Sequence, residues 1–417
     1  MGVHPLRQPP KGPDRPGPTE ARETSDQGSL PASASRDLAP GHRPQHSNGF
    51  AFTLGVFATM RILLSVVSII AVGRYHPPLV GEALPPTLSP GMHNVVTGTD
   101  RWDALRFASI ASNGYRTGDD DAAFFPGYPI TVHAISMVTD LDASVAALLV
   151  SNLAFLGALF GLYVLTAREY TDLLARRTVV LVACFPTSFF FMAPYSESLF
   201  LLMTILAFMS MRGGRVWLAG SAGFLAASIR SVGVLLVPSL LIEAWGRGEQ
   251  RRARAIVSAA LPLMAVVLFG AYWQARSGDF LAPFHAQDAW HRTFEFPLFT
   301  LGHALSLGLT GLGSELGIYW TIDLLLTTVV LVALAVRWRM IPLSYLAYVA
   351  ATLLVVLSFP LPERPLLSAP RFVLVLFPAF WAMADIVRGR WFFLAVAVSV
   401  AGFVAISAAF MNWGYIF

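Results

Sequence analysis

The chain has a single cysteine, Cys184, among 417 residues. No internal disulfide can form, and a lone thiol inside an apolar run reads as a small core residue rather than a nucleophile. Charge is also scarce: Asp, Glu, Lys and Arg make up 13% of the residues, about half the share in soluble domains. Lysine is almost absent, so arginine carries nearly all the positive charge, a bias that fits a GC-rich bacterial genome. There is no Walker loop, no dinucleotide fingerprint and no nucleophile elbow. His285, His291 and His303 lie in one loop without metal-ligand spacing, so neither a metal nor a cofactor is expected. Basic residues form no stripe interleaved with aromatics, which argues against nucleic acid as a partner. No internal repeat is apparent, which disfavours transporter folds built from repeated halves.

What fills the chain is apolar. Hydrophobic residues make up 55% and the mean hydropathy is +0.60. Apolar runs of roughly 16–24 residues, separated by short Arg-bearing loops, predict an all-α polytopic transmembrane bundle; a β-barrel would alternate in segments of about ten. The formal charge of +4 and pI near 9.4 report basic loops beside a lipid bilayer.

Residues 1–48 are rich in Pro, Gly, Ser, Arg and Asp. Such a segment buries too little surface to order itself and is expected to be a disordered cytoplasmic tail, with 49–417 as the membrane-embedded domain. It is too long and too polar for a signal peptide. Basic clusters at Arg168/Arg176/Arg177, Arg212/Arg215, 247–254, Arg337/Arg339 and Arg388/Arg390 are placed with the tail on the cytoplasmic side. Spans are then predicted near 50–73, 144–166, 178–193, 195–211, 216–229, 231–244, 256–273, 318–336, 341–358, 370–387 and 391–411, with the C-terminus outside. Several fall short of the ~20 residues that cross hydrocarbon. The pairs 178–211 and 216–244 therefore read as hairpins whose tips, at 194–197 and 230–231, lie at or below the outer surface. The same parity makes 126–139 a juxtamembrane or re-entrant helix. The large outer loops are 74–143 and 274–317, the second with an amphipathic stretch at 298–312.

The most polar interval between apolar runs is 100–126, directly after the first span. Asp103 and Arg106 are three residues apart, so on a helix they share a face and can pair. Flanked by Trp102 and Phe107, they suit an interfacial helix. By spacing alone a surface ion pair is the favoured reading; the alternative is a carboxylate at a cavity mouth that takes a proton from a substrate hydroxyl. Asp119, Asp120 and Asp121 form an acidic run, but consecutive acids rarely converge on a cation. Glu197 lies between two very apolar segments, where facing lipid is costly; a hairpin-stabilising network and a substrate contact fit equally. Arg230 and Arg371 are isolated guanidiniums beside apolar runs. Their planar forks suit phosphate, and snorkelling to the interface is the alternative.

Trp102-Asp103-Ala104-Leu105-Arg106-Phe107, then Ala111-Ser112-Asn113-Gly114-Tyr115, then Ala123-Phe124-Phe125-Pro126 with Pro129, resembles the first-loop signature of the PIG-V family. That family contains the second mannosyltransferase of GPI-anchor synthesis and bacterial relatives. Phe185-Pro186-Thr187-Ser188-Phe189-Phe190 and Tyr195-Ser196-Glu197-Ser198-Leu199-Phe200 resemble its next block. Arg230-Ser231-Val232-Gly233 and Pro370-Arg371-Phe372 match shorter elements. The resemblance spans roughly 50–390 and implies a GT-C type glycosyltransferase. Such an enzyme uses a polyprenyl-phosphate sugar, here mannose, on the extracytoplasmic face, with inversion. It implies that Asp103 is the catalytic base, reversing the reading from spacing. Arg106, Tyr115, Tyr195, Glu197, Arg230 and Arg371 are then expected to bind substrate, with Asp100 or Asp121 as a second acid. The family often has Glu before the Ala-Phe-Phe-Pro block, where this chain has the 119–121 acids. The acceptor expected is a lipid-linked or cell-envelope glycan, since a bacterium generally makes no GPI. A transporter or flippase of lipid-linked sugar and a non-catalytic subunit of a transferase complex are the rival readings.

Overall fold

The computed structural model describes residues 46–74, 95, 98–118, 120–287, 292–412 and 414. Most of the expected tail, together with Asp119 and His291, lies outside these residues; His46 already begins the first helix. Among the described residues there is no strand, only an isolated bridge between Leu361 and Arg364.

Helices start and stop where the local chemistry requires. α1 (His46–Arg74) is followed after the loop by α2 (Asp103–Asn113) and α3 (Gly127–Thr139). α4 (Ala143–Glu169) opens on Asp142, whose side chain accepts from the Ser144 N–H at 2.8 Å. α5 (Asp172–Cys184) opens on Thr171 in the same way, at 3.2 Å from Leu174. Each cap satisfies one of the donors a helix start leaves open. Then come α6 (Glu197–Arg212), α7 (Val216–Ile229) and α8 (Leu236–Trp245). α9 (Glu249–Ala259) and α10 (Leu261–Ser277) form one nearly continuous rod. α11 (Pro297–Thr310) covers the amphipathic stretch, followed by α12 (Glu315–Arg337) and α13 (Leu343–Ser358). The chain closes with α14 (Ala369–Leu374), α15 (Phe377–Ile386) and α16 (Arg390–Met411).

Among the described residues, five helical stretches are long and apolar enough to cross a membrane: Asn48–Val72, Ala143–Glu169, Arg251–Ser277, Leu316–Met340 and Arg390–Met411. The other predicted spans are shorter helices, and two differ from expectation. The segment 178–193 is helical only as far as Cys184, because Pro186 lacks the N–H that would continue the ladder. The segment 370–387 is two helices, broken before Pro378.

The arginine-bearing loops gather at one end. Arg212 Nε lies 3.4 Å from Glu169 and 3.1 Å from Glu243. Ser344 donates to Glu243 at 2.6 Å, and Arg337 reaches Asp385 at 2.8 Å. Arg176 sits over the Phe52 ring, which puts the start of α1 at this end too. Each of the five long apolar stretches has the length to cross between this end and the other. α3 does not cross: Tyr128, near its start, hydrogen-bonds Ala147 and Ser151 on the first turns of α4. Having dipped to that depth, the chain returns to the end where α4 begins.

Candidate active site

The floor of the site is a stretch of non-helical backbone. Between α5 and α6, residues 185–196 make a 3-10 turn at Ser188–Phe191, and Phe189, Phe190 and Phe191 are fully buried. Backbone that leaves the helix inside a bilayer must find other partners. Here side chains supply them. Asn152 Nδ2 donates to Met192 O at 3.0 Å and Ser151 Oγ to Tyr195 O at 2.8 Å. Ser188 Oγ bonds Ala183 O and Thr187 Oγ1 bonds Pro370 O. Ser151 lies eight residues into α4, so the hairpin tip is sunk about 12 Å below that helix's start, at 1.5 Å per residue.

Four charges meet on this floor. Glu197, at the start of α6, is fully buried and accepts through Oε1 from Arg371 Nε at 2.9 Å and Nη2 at 2.6 Å. The same oxygen lies 2.7 Å from Arg230 Nη1, which also reaches Ser196 Oγ at 3.1 Å. Arg371 Nη1 extends to Asp103 Oδ2 at 2.8 Å. Two carboxylates and two guanidiniums therefore form one neutral chain. Their exposures differ in a way that assigns roles. Glu197 is inaccessible and Arg371 is 8% exposed, whereas Asp103 is 35% exposed. Only Asp103, of the two carboxylates, can meet an incoming molecule. Glu197 is a clamp for two cations, and its Oε2 has no hydrogen-bond partner among the described residues.

Aromatic faces fix the cations further. Arg371 stands 4.8 Å from the ring centres of both Phe190 and Tyr195, and Arg230 5.2 Å from that of Phe372. Tyr195, expected at the substrate, is buried with its hydroxyl given to Arg101 O at 2.7 Å. It supports Arg371 and the first loop from below.

The backbone is unusual where it presents these groups. Trp102 has φ 54° and ψ −118° immediately before Asp103, and Ser368 has φ 66° at the start of the helix carrying Arg371. Among the described residues only one other non-glycine, Asp140, has a positive φ. Such conformations persist where surrounding contacts over-determine them. At Trp102 the contacts are the Tyr195 bond to Arg101 O and the Arg101 guanidinium, which donates to Met411 O at 3.1 and 3.2 Å. The end of the last helix thus braces the loop of the first acid.

Arg106 does not pair with Asp103. It turns to Asp121, 3.3 Å away, because Arg371 occupies the face Asp103 presents. Arg116 donates its backbone N–H and its guanidinium to the same carboxylate at 3.0–3.2 Å. Burial alone would raise the Asp121 pKa, but the Arg116 hydrogen bonds and charge, with Arg106, outweigh it and hold the carboxyl below its ordinary range. Asp121 is therefore a fully buried tie within the loop. Asp100, just ahead of Arg101, is also buried, and burial pushes its carboxyl up against the opposing Ser144 hydrogen bond and Arg101 charge. The Tyr115 hydroxyl is given to Phe124 O at 2.7 Å and its ring packs among Phe269, Tyr272 and Trp273. These residues build the loop; Asp103, Glu197, Arg230 and Arg371 form the cluster. Phe190 and Ser196, which lie in the family-like blocks, belong to the same assembly together with Arg101 and Ser151; the sequence alone assigned none of the four a role in the site. No group of three or more His, Cys, Asp or Glu side chains able to hold a metal ion occurs among the described residues.

Residues 57–273, just over half of the chain, match the sequence profile of the family described as Mannosyltransferase (PIG-V). The chain belongs to that family. It is 32% identical over 176 residues to the GPI alpha-1,6-mannosyltransferase 2 of Rattus norvegicus, covering 38% of this chain and 35% of the rat protein. It is 34% identical over 146 residues to the GPI mannosyltransferase 2 of Cryptococcus neoformans, covering 32% and 34%. The matches thus span about a third of these curated relatives. Among solved structures, ArnT from Cupriavidus metallidurans, crystallised with undecaprenyl phosphate, aligns with a TM-score of 0.48 at 15% identity, over 80% of this chain and 59% of ArnT.

Proposed function

We propose that the protein transfers mannose from a polyprenyl-phosphate-mannose donor to a hydroxyl of a lipid-linked or cell-envelope glycan, on the extracytoplasmic face and with inversion. The observation that carries this reading is the contact between half-open Asp103 and buried Arg371 at the recessed floor. A carboxylate beside a fixed cation matches the two needs of the reaction, a proton acceptor and a counter-charge for a leaving phosphate.

Asp103 takes the acceptor's hydroxyl proton as that oxygen bonds to the anomeric carbon. The bond from that carbon to the phosphate oxygen breaks on the opposite face, and the electron pair leaves with the phosphate. Charge grows on the phosphate in an oxocarbenium-like transition state, so fixed guanidiniums help more there than in the ground state. Arg371 and Arg230 supply them, held by Glu197. An arriving phosphate competes with Asp103 for the Arg371 Nη1 edge, which frees the carboxylate to act as base. The recess keeps water from intercepting the sugar.

The test is the purified protein in liposomes with labelled polyprenyl-phosphate-mannose and a lipid extract as acceptor. A covalent mannosylated product is expected. Movement of intact donor without product would replace this reading with a transporter.

A further inference from the structure

A second buried charge pair lies outside the cluster. Asp323, midway along α12, is 1% exposed, and its Oδ2 meets Arg364 Nε at 2.6 Å; Arg364 is 6% exposed. Tyr319, one turn earlier on α12, stands 5.5 Å from the Arg364 guanidinium. A pair so placed is poor value as stabilisation, because desolvation offsets most of the attraction and an apolar pair of equal volume serves as well. What it does supply is a single register for the segment bearing it.

That segment leads to Arg371 without slack. Arg364 N–H bonds Leu361 O at 3.0 Å and Leu367 N–H bonds Arg364 O at 2.9 Å. Ala369 N–H bonds Leu366 O and Arg371 N–H bonds Ser368 O, both at 2.9 Å. Leu366 and Ala369 are buried with Ala304 and Leu357, and Leu324, next to Asp323, packs on that cluster. Six residues are thus wound in consecutive turns between the two arginines, with Ser368 held at φ 66° between them. A strained residue at that point requires a fixed anchor upstream, and Arg364 is that anchor.

We propose that Asp323 and Arg364 are positioning residues: their ion pair sets the register of 361–371 and so aims the Arg371 guanidinium at the phosphate. This rests on the function proposed above. The test uses the full chain in detergent or nanodiscs, reading polyprenyl phosphate affinity, donor KM and kcat. Arg364→Lys keeps the charge but loses the planar fork, and is expected to raise the Kd for polyprenyl phosphate and the donor KM at least fivefold, with the acceptor KM unmoved. Asp323→Leu combined with Arg364→Met removes the pair without leaving a buried charge, and is expected to do the same with a thermal midpoint close to the parent's. Because Arg364 acts through Arg371, Arg364→Lys added to Arg371→Lys should cost nothing beyond Arg371→Lys alone; an independent structural effect would add. Parent-like affinity in Arg364→Lys, or additive losses in the double variant, would overturn the inference while leaving the proposed function standing. A parent protein that neither binds polyprenyl phosphate nor forms product would remove both.

Discussion

At the scale of single residues, accessibility separates groups that look alike in sequence. Asp103, Asp121 and Glu197 are all acids near apolar runs, yet Asp121 and Glu197 are fully buried, each beside two arginines, and only Asp103 is open. Asp103→Asn is isosteric and leaves Arg371 its bonds to Glu197. Transfer is expected to fall by about 10²–10⁴ in kcat, the usual worth of a general base, with donor KM unchanged or lower because the phosphate no longer competes with a carboxylate. Steady-state transfer by the folded variant measures this, and near-parental turnover would exclude Asp103 as the base. Asp121 gives a pH signature instead. Its folded pKa lies below the unfolded value near 4. The stabilisation is therefore complete above about pH 4 and disappears as pH falls through the lower folded value. A thermal-midpoint series from pH 7 to pH 3 should fall less steeply for Asp121→Asn than for the parent; parallel curves would refute the tie.

At the scale of elements, short helices and close backbone contacts create the recess. α7 ends at Ile229, and the turn Ser231–Leu235 folds back so tightly that a Cβ on Gly233 would stand 2.4 Å from Ala227 N. Glycine is required there because backbone, which cannot swing aside, occupies the space. Similarly, a Cβ on Gly127 at the head of α3 would lie 2.8 Å from the Ser228 carbonyl. These two contacts lock the position of Arg230. Gly233→Ala is expected to cost about 1–3 kcal/mol, the usual penalty for forcing an extra methyl into a filled space, and to raise the donor KM as Arg230 shifts. Circular-dichroism melting alongside donor kinetics checks both; a variant melting with the parent would mean the turn has room.

At the scale of the whole molecule, the two ends are chemically distinct. One collects the loops with Arg176, Arg212, Arg337 and Arg388; the other holds the recessed cluster. The bias of arginine toward cytoplasmic loops supports the proposed placement of the cluster on the outer side. Cysteines placed at Thr117 and at Arg251, both exposed, separate the possibilities; native Cys184 is buried and stays silent. A membrane-impermeant thiol reagent is expected to label Thr117→Cys in intact cells and Arg251→Cys only after permeabilisation. The reverse pattern would invert the proposed orientation and the side of the reaction.

How much of this is legible in the chain depends on the range over which each force acts. Hydropathy runs and arginine spacing are local properties, and they sufficed for the helical class and for placing most of the apolar helices, short ones included. Breaks at Cys184 and before Pro378 escaped the reading because apolar content continues across them while the backbone ladder does not. The four charges were each singled out, but their pairing was not. Asp103 has Arg106 one helical turn away, and sequence spacing alone joins those two. Its actual partner, Arg371, is 268 residues distant. Electrostatic pairing in a low-dielectric interior follows whichever opposite charges the packed helices bring together; local composition is enough to pick out which ionisable groups stand isolated among apolar runs. That Glu197 joins two arginines beneath Asp103 is a property of the packed helices alone, because depth and contact between distant segments exist only after packing.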